Sequence, residues 1–122
     1  MNIALETPNA DHFIQSYQPG TITLNTGSYQ QSIVIYQDRV ITDWEPATIA
    51  QLTDHDIASL THYAPHVIIL GTGPQHTFPA PDVLSPAYQR GIGVEVMHTE
   101  AACRTYNILV SEGRNVLAAL LP

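Results

Sequence analysis

Two glycines flank a threonine at Gly71-Thr72-Gly73, directly after the apolar run Val67-Ile68-Ile69-Leu70. A strand that ends this way can expose backbone N–H groups, because glycine has no Cβ to keep a ligand at a distance. Further along, Thr99 stands where a helix should start, and helix starts carry free N–H groups and partial positive charge. Arg104, five residues on, adds a guanidinium. Gly71, Thr72, Gly73, Thr99 and Arg104 together describe a crevice for a small anion. The same residues also read as structure alone: a sharp turn out of a buried strand, and an arginine paired with a surface carboxylate. The nucleotide versions are excluded, since no Gly-Lys-Ser/Thr follows the loop and the third glycine of the dinucleotide fingerprint is missing.

Other reactive side chains are present without partners. His62 and His66 have the four-residue spacing of a helical metal pair, but Pro65 lies between them and ends the helix. They do not share a face, and no metal site is expected. Cys103 lies near a helix start beside Arg104, two features that lower a thiol pKa, and His98 is the nearest base in sequence. Against this stands the usual role of small helical cysteines as buried packing residues. There is no Gly-x-Ser-x-Gly elbow, no carboxylate pair at acid/base spacing and no cofactor motif. Tyr106 and Asn107 read as core and helix-surface residues. No catalytic residue is assigned.

The bulk composition narrows the partners. The chain has 122 residues, 44% of them hydrophobic, 11 Asp and Glu against four Arg, no lysine, and a formal net charge of −7. That length suits one domain over residues 1–122. A charge of that sign repels phosphate backbones and anionic lipid surfaces, which argues against nucleic-acid binding. No apolar stretch reaches the roughly 18 residues that span a bilayer. Met1–Glu6 has no basic region or apolar run of leader length. One cysteine forms no internal disulfide and suits a reducing compartment. These features predict a cytoplasmic, bacterial protein.

The elements that would position the site fall into two rhythms. Thr21–Leu24, Gln31–Tyr36 and Arg39–Trp44 read as antiparallel strands, the last two joined by a Gln37-Asp38 turn. In the third of these, Val40, Thr42 and Trp44 share a face. Thr53-Asp54-His55-Asp56 opens a helix with nearly a capping box, ending near Tyr63-Ala64. Val67–Leu70 is a strand covered on both faces. A long loop runs from Gly71 to about Leu84, then a short helix Pro86–Arg90 capped by Ser85. The strand Ile92–Met97, a helix capped by Thr99 and running to Ser111, and the strand Val116–Leu121 complete the chain. Strand, helix, strand, helix, strand with short connections means parallel pairing through right-handed crossovers. The fold class is therefore α/β, with a mixed sheet: parallel in the C-terminal half, antiparallel in the N-terminal hairpin.

Several stretches carry a resemblance. Val67 through Gly73, Arg90 through Met97, Thr99 through Leu109 with its Ala-x-Arg-Thr-Tyr-Asn core, Glu112-Gly113-Arg114 with Val116, and Ser32 to Trp44 resemble the Mth938-like domain family. The likeness spans most of the chain, and its motifs keep order and spacing. It implies a three-layer α/β fold. The family includes the mitochondrial assembly factor 3 of NADH:ubiquinone oxidoreductase (complex I), which implies protein partners and an assembly role for those members; bacterial members have no assigned function. The segment Pro74-Gln75-His76 after the glycine loop is treated as variable.

Three functional expectations result. The first is a non-enzymatic binding or assembly protein linked to respiratory complex biogenesis. The second is a small-molecule or anion binder, or an enzyme, at the crevice of Gly71, Gly73, Thr99 and Arg104. The third is an oligomer built through the Tyr29–Trp44 hairpin. Sequence leaves the partner and the oligomeric state open.

Overall fold

The computed structural model describes residues 10–122; the Met1–Glu6 segment, read above as lacking a leader, lies outside the described residues. The described chain runs β1 (Ile14–Gln18), β2 (Thr21–Leu24), β3 (Gly27–Tyr29), β4 (Ile33–Tyr36), β5 (Arg39–Ile41), α1 (Asp54–Thr61), β6 (Val67–Thr72), α2 (Pro81–Tyr88), β7 (Gly93–Met97), α3 (Thr99–Ser111) and β8 (Val116–Leu121). A three-stranded antiparallel sheet has the order β1-β2-β3, and a five-stranded sheet has the order β5-β4-β8-β6-β7. In the larger sheet β6 is parallel to both β7 and β8, and β4 is antiparallel to β5 and β8. The mixed sheet expected from sequence is present.

The larger sheet is covered on both faces, and side-chain alternation sorts its residues between them. Ile33, Ile35, Ile69, Val116, Ala118 and Leu120 face α3 and the small sheet. Val34, Tyr36, Ile68, Leu70, Leu117, Ala119 and Leu121 face α1 and α2. All six residues of β8 are buried, as a central strand between two layers requires. The result is three layers: two helices, the sheet, then a helix with the small sheet.

Local chemistry explains most boundaries. Asp56 Nα–H donates to Thr53 Oγ1 at 3.3 Å and Thr53 Nα–H donates to Asp56 Oδ2 at 2.9 Å, the full capping box at the start of α1. Gln37-Asp38 forms the two-residue turn of the β4–β5 hairpin, with Gln37 at a φ of 55°. β5, however, stops at Ile41. Trp44 leaves the sheet, is buried, and its indole donates to Asp56 O at 3.2 Å, so it does not share a strand face with Val40 and Thr42.

Two helix starts differ from expectation. α2 begins at Pro81, and Pro86 lies inside it, so the preceding loop is shorter than the sequence reading gave. Pro81 sits at the helix start, where its missing N–H costs nothing. Its N-cap, Ala80, has no side-chain oxygen, which hid the start. α3 is capped by His98, whose Nδ1 accepts from Ala101 Nα–H at 3.2 Å, and Thr99 is the first helical residue.

Beside the apolar packing of Ile14, Tyr17, Ile22 and Leu24, side chains of α3 fasten the small sheet: Tyr106 Oη–H donates to His12 O at 3.1 Å. Asn107 Oδ1 accepts from Ile14 Nα–H at 2.9 Å, and Asn107 Nδ2 donates to Ile14 O at 2.8 Å. The side-chain amide thus pairs with β1 as a neighbouring strand residue would. Asn107 is buried, not on the helix surface.

Candidate functional site

The parallel strands end at an edge where β6 and β8 stop and α3 begins. Open α/β sheets take ligands at such edges. Gly71 and Thr72 are the last two residues of β6, and only Gly73, with a φ of 97°, belongs to the turn proper.

Gly71 is glycine because there is no room for more. A Cβ there would come within 2.8 Å of Thr99 Oγ1 and 3.1 Å of both Ala102 Cβ and Leu120 Cδ2. That contact brings α3 against the sheet. It also places the Thr99 hydroxyl, fully buried, between two strands. Thr99 Oγ1 accepts from Gly73 Nα–H at 2.8 Å and donates to Leu121 O at 2.6 Å. Thr99 Nα–H donates to Gly73 O at 2.8 Å. One threonine therefore ties the ends of β6 and β8 to the start of α3. Thr72 closes the next turn: its hydroxyl donates to Gln75 O and accepts from Thr77 Nα–H.

Four of the five residues singled out by sequence thus meet at this edge. Arg104 does not join them. Its guanidinium pairs with Glu100 Oε1 at 3.3 Å on the outer face of α3, with the side chain 46% exposed. The buried face of α3 is occupied by Ala102, Cys103, Tyr106 and Asn107, which turns Arg104 outward. Gly73 N–H and the Thr99 hydroxyl, the donors that an anion would need, are already spent, the first on Thr99 Oγ1 and the second on Leu121 O. What the arrangement does is hold three chain segments in fixed relation.

Beyond this clasp the edge opens. A cleft of about 350 Å³ lies between Thr48–Ala50 and the Thr72–Thr77 turn. A second, of about 750 Å³, is lined by Ser32, Asp43, Trp44, Glu45 and Pro122. The segment from Gly73 to Ala80 carries an exposed aromatic pair. Phe78 is 71% exposed and stacks against His76 at 4.5 Å between ring centroids. Sequence reasoning passed over Phe78, although an apolar ring within a proline-rich loop was the available signal. A third cleft, of about 590 Å³, sits at the opposite edge. There Arg90 donates to Thr61 O and Thr61 Oγ1, capping the carbonyl end of α1.

The remaining nucleophile is silent. Cys103 is fully buried, and burial pushes its thiol up to about 12. Arg104 opposes that shift and Glu100 adds to it, but desolvation dominates. A thiol so protected stays protonated at neutral pH, contrary to the lowering expected from its helix position. His98 is engaged as the cap of α3. His62 ends α1 and Ala64 follows at a φ of 54°, which turns the chain between His62 and His66. Among the described residues no three His, Cys, Asp or Glu side chains gather as metal ligands. No helix among them is long and apolar enough to cross a membrane.

This combination of layers, strand order and edge defines a three-layer α/β domain of the Mth938-like class. A solution structure of a Bordetella pertussis protein described as a Mth938-like domain superposes with a TM-score of 0.76 at 29% identity, over 100% of this chain and 92% of that one. A crystal structure of a Bordetella parapertussis protein gives 0.86 at 34% identity, over 93% and 98% of the two chains. The chain belongs to the family described as "Protein of unknown function (DUF498/DUF598)", whose model matches residues 14–121. Two named relatives are similar to it. The "13 kDa major membrane protein" of Francisella tularensis subsp. holarctica is 30% identical over 99% of both chains. The mouse "NADH dehydrogenase (ubiquinone) 1 alpha subcomplex assembly factor 3" is 30% identical over 90% of this chain, which spans 60% of that protein's length.

Proposed function

We propose that this chain is a non-enzymatic, single-domain binding protein of the assembly-factor type, working in the cytoplasm on a protein partner in respiratory complex biogenesis. The observation that carries the reading is the likeness to the mouse assembly factor across 90% of the chain. The chemistry of the described residues points the same way. The one thiol is buried and protonated, the histidines are dispersed, and the clasp around Thr99 spends its donors internally. Such a molecule acts through its surface. The exposed His76–Phe78 pair, held out from a rigid base, is the kind of apolar feature a partner covers.

Deleting the gene in its source organism tests the proposal. Native gels of membranes and extract should then show less assembled NADH:ubiquinone oxidoreductase and an accumulated partial complex, restored by the wild-type chain. An unchanged enzyme level would overturn the respiratory link. Fractionation should place the protein in the soluble extract; recovery solely with membranes would overturn the cytoplasmic placement.

The small-anion reading at Gly71, Thr72, Gly73, Thr99 and Arg104 requires the clasp to open and Arg104 to leave Glu100. Titration with inorganic phosphate, followed on amide resonances of Gly71 to Gly73, is expected to show no saturable shift. A saturable shift there would restore that reading.

A further inference from the structure

The larger sheet has an unguarded side. β7 is one of its two edge strands and, among the described residues, is bonded to β6 alone. Gly93 Nα–H donates to His66 O, so Gly93 turns its backbone toward β6. Backbone direction alternates along a strand. Val94 and Val96 therefore turn their N–H and C=O groups outward, where no strand lies among the described residues. β7 is five residues long, contains no proline, and has both valines half-buried against the α1–α2 layer. A strand of that length and composition is a template for another extended chain.

Its one charge selects the occupant. Glu95 is exposed, in the middle of β7. Two copies pairing antiparallel across the full strand would set Glu95 directly opposite Glu95, a like-charge contact that destabilises cross-strand pairs. Registers that avoid it give up part of the ladder. An acidic chain of net charge −7 meets the same problem at longer range. A segment with Lys or Arg opposite Glu95 turns the repulsion into an attraction. The face that Glu95 shares with Met97 also offers apolar surface. The Thr105 hydroxyl contacts Met97 Sδ at 3.4 Å, so this flank of α3 adjoins β7. Ile108, one turn beyond Thr105, is 57% exposed.

We propose that β7 is a docking edge on which an extended segment of a partner protein adds as a sixth strand. Its outward bonds go to Val94 and Val96, a basic side chain lies against Glu95, and an apolar one lies toward Met97 and Ile108. Main-chain bonds would supply the affinity and the Glu95 pair the register, as in other strand-addition complexes. The inference rests on the reading of this chain as a partner-binding protein and names where and what it binds.

The test begins with a photo-crosslinking residue at the exposed Ile108, which leaves Glu95 in place, in the full chain in its source organism. The cross-link should map to a partner segment containing Lys or Arg. The synthetic peptide of that segment should shift the Val94 and Val96 amides of the labelled protein. Glu95→Lys should weaken that binding about tenfold, with recovery when the peptide's basic residue is changed to Glu. Val94→Pro, which removes an outward donor but no bond to β6, should abolish it. Circular dichroism must show both variants folded; if Val94→Pro does not fold, the Glu95 charge swap decides alone. A cross-link to a second copy of this chain, to a helical surface or to nothing overturns the proposal, as does binding indifferent to the charge swap. Failure here with the native-gel defect intact sinks the docking edge and leaves the assembly reading standing. Loss of that defect sinks the assembly reading itself.

Discussion

The carboxyl end of β6 and the outer side of β7 lie one strand apart and treat their polar groups in opposite ways. At the end of β6, the N–H of Gly73, the carbonyl of Leu121 and the hydroxyl of Thr99 satisfy one another out of contact with water. Along β7, the backbone groups of Val94 and Val96 have no strand to meet among the described residues. The first region looked in sequence like the place for a ligand. Gly71 serves close packing, since the space beside it is filled by the Thr99 and Ala102 side chains, and Gly73 serves the turn through its positive φ. The second carries no motif, yet retains unspent hydrogen-bonding capacity. Glycine next to a buried strand marks a close approach, and the structure alone says whether a ligand or a helix makes it.

The sharpest way to break this contrast is Thr99→Val. The shape is kept and the hydroxyl is lost, leaving Gly73 N–H and Leu121 O buried and unpaired. Unfolding in urea should show a loss of about 3 kcal/mol. A loss under 1 kcal/mol would mean that water reaches the edge and that the clasp is not closed. Gly71→Ala should cost about 2 kcal/mol by overpacking, because Thr99 is held by its bonds and cannot yield.

The interior should also announce itself in alkaline solution. Burial pushes the Cys103 thiol from its ordinary 9.0 to about 12, and it pushes Tyr106 in the same direction. The folded chain keeps protons that the unfolded chain releases. This contribution to stability is whole below about pH 9 and is lost as pH rises toward 12. Denaturant midpoints measured from pH 8 to 11 should fall, and Cys103→Ala should flatten the decline. A thiol reagent at pH 8 should label Cys103 only as fast as the protein opens. The smallest effect belongs to the open side. Phe78→Ala should change stability by less than about 0.5 kcal/mol, while weakening the restoration of assembled NADH:ubiquinone oxidoreductase on the native gels of the deletion strain. A large loss of stability there would make Phe78 part of the packing.

The parts of the fold that sequence revealed are those where one local signal decides. The continuous apolar runs of β6 and β8, the Thr53–Asp56 box and the Gly113 break stand by themselves. β1 and β3 were missed because neither carries a strong local signal, although both pair with the neighbouring β2. β1 alternates weakly through Ile14 and Tyr17, and Asn107, 93 residues away, helps to hold it. β3 has three residues and no periodicity. The start of α2 was hidden because two prolines compete for the first helical position and the structure uses Pro81. At the candidate site, Gly71, Thr72, Gly73 and Thr99 were correctly drawn to one edge by strand order. The reach of Arg104 was misjudged, because helix phase, which points it away from the sheet, outweighs its nearness in sequence.

The position of β8 has a consequence for how the molecule comes into being. It lies in the middle of the larger sheet, flanked by β4 and β6, although it follows both of them in sequence. Until β8 has emerged from the ribosome, β4 and β6 have no common neighbour. The nascent chain therefore carries two separate half-sheets with apolar faces in water. Closing them requires pairing over about 80 residues, since Ile35 meets Ala118, and such long-range closure is slow and exposed to aggregation. Cells making this protein quickly should lean on chaperones that shield exposed apolar segments, and a ribosome stalled before β8 should display an unfolded, protease-sensitive chain.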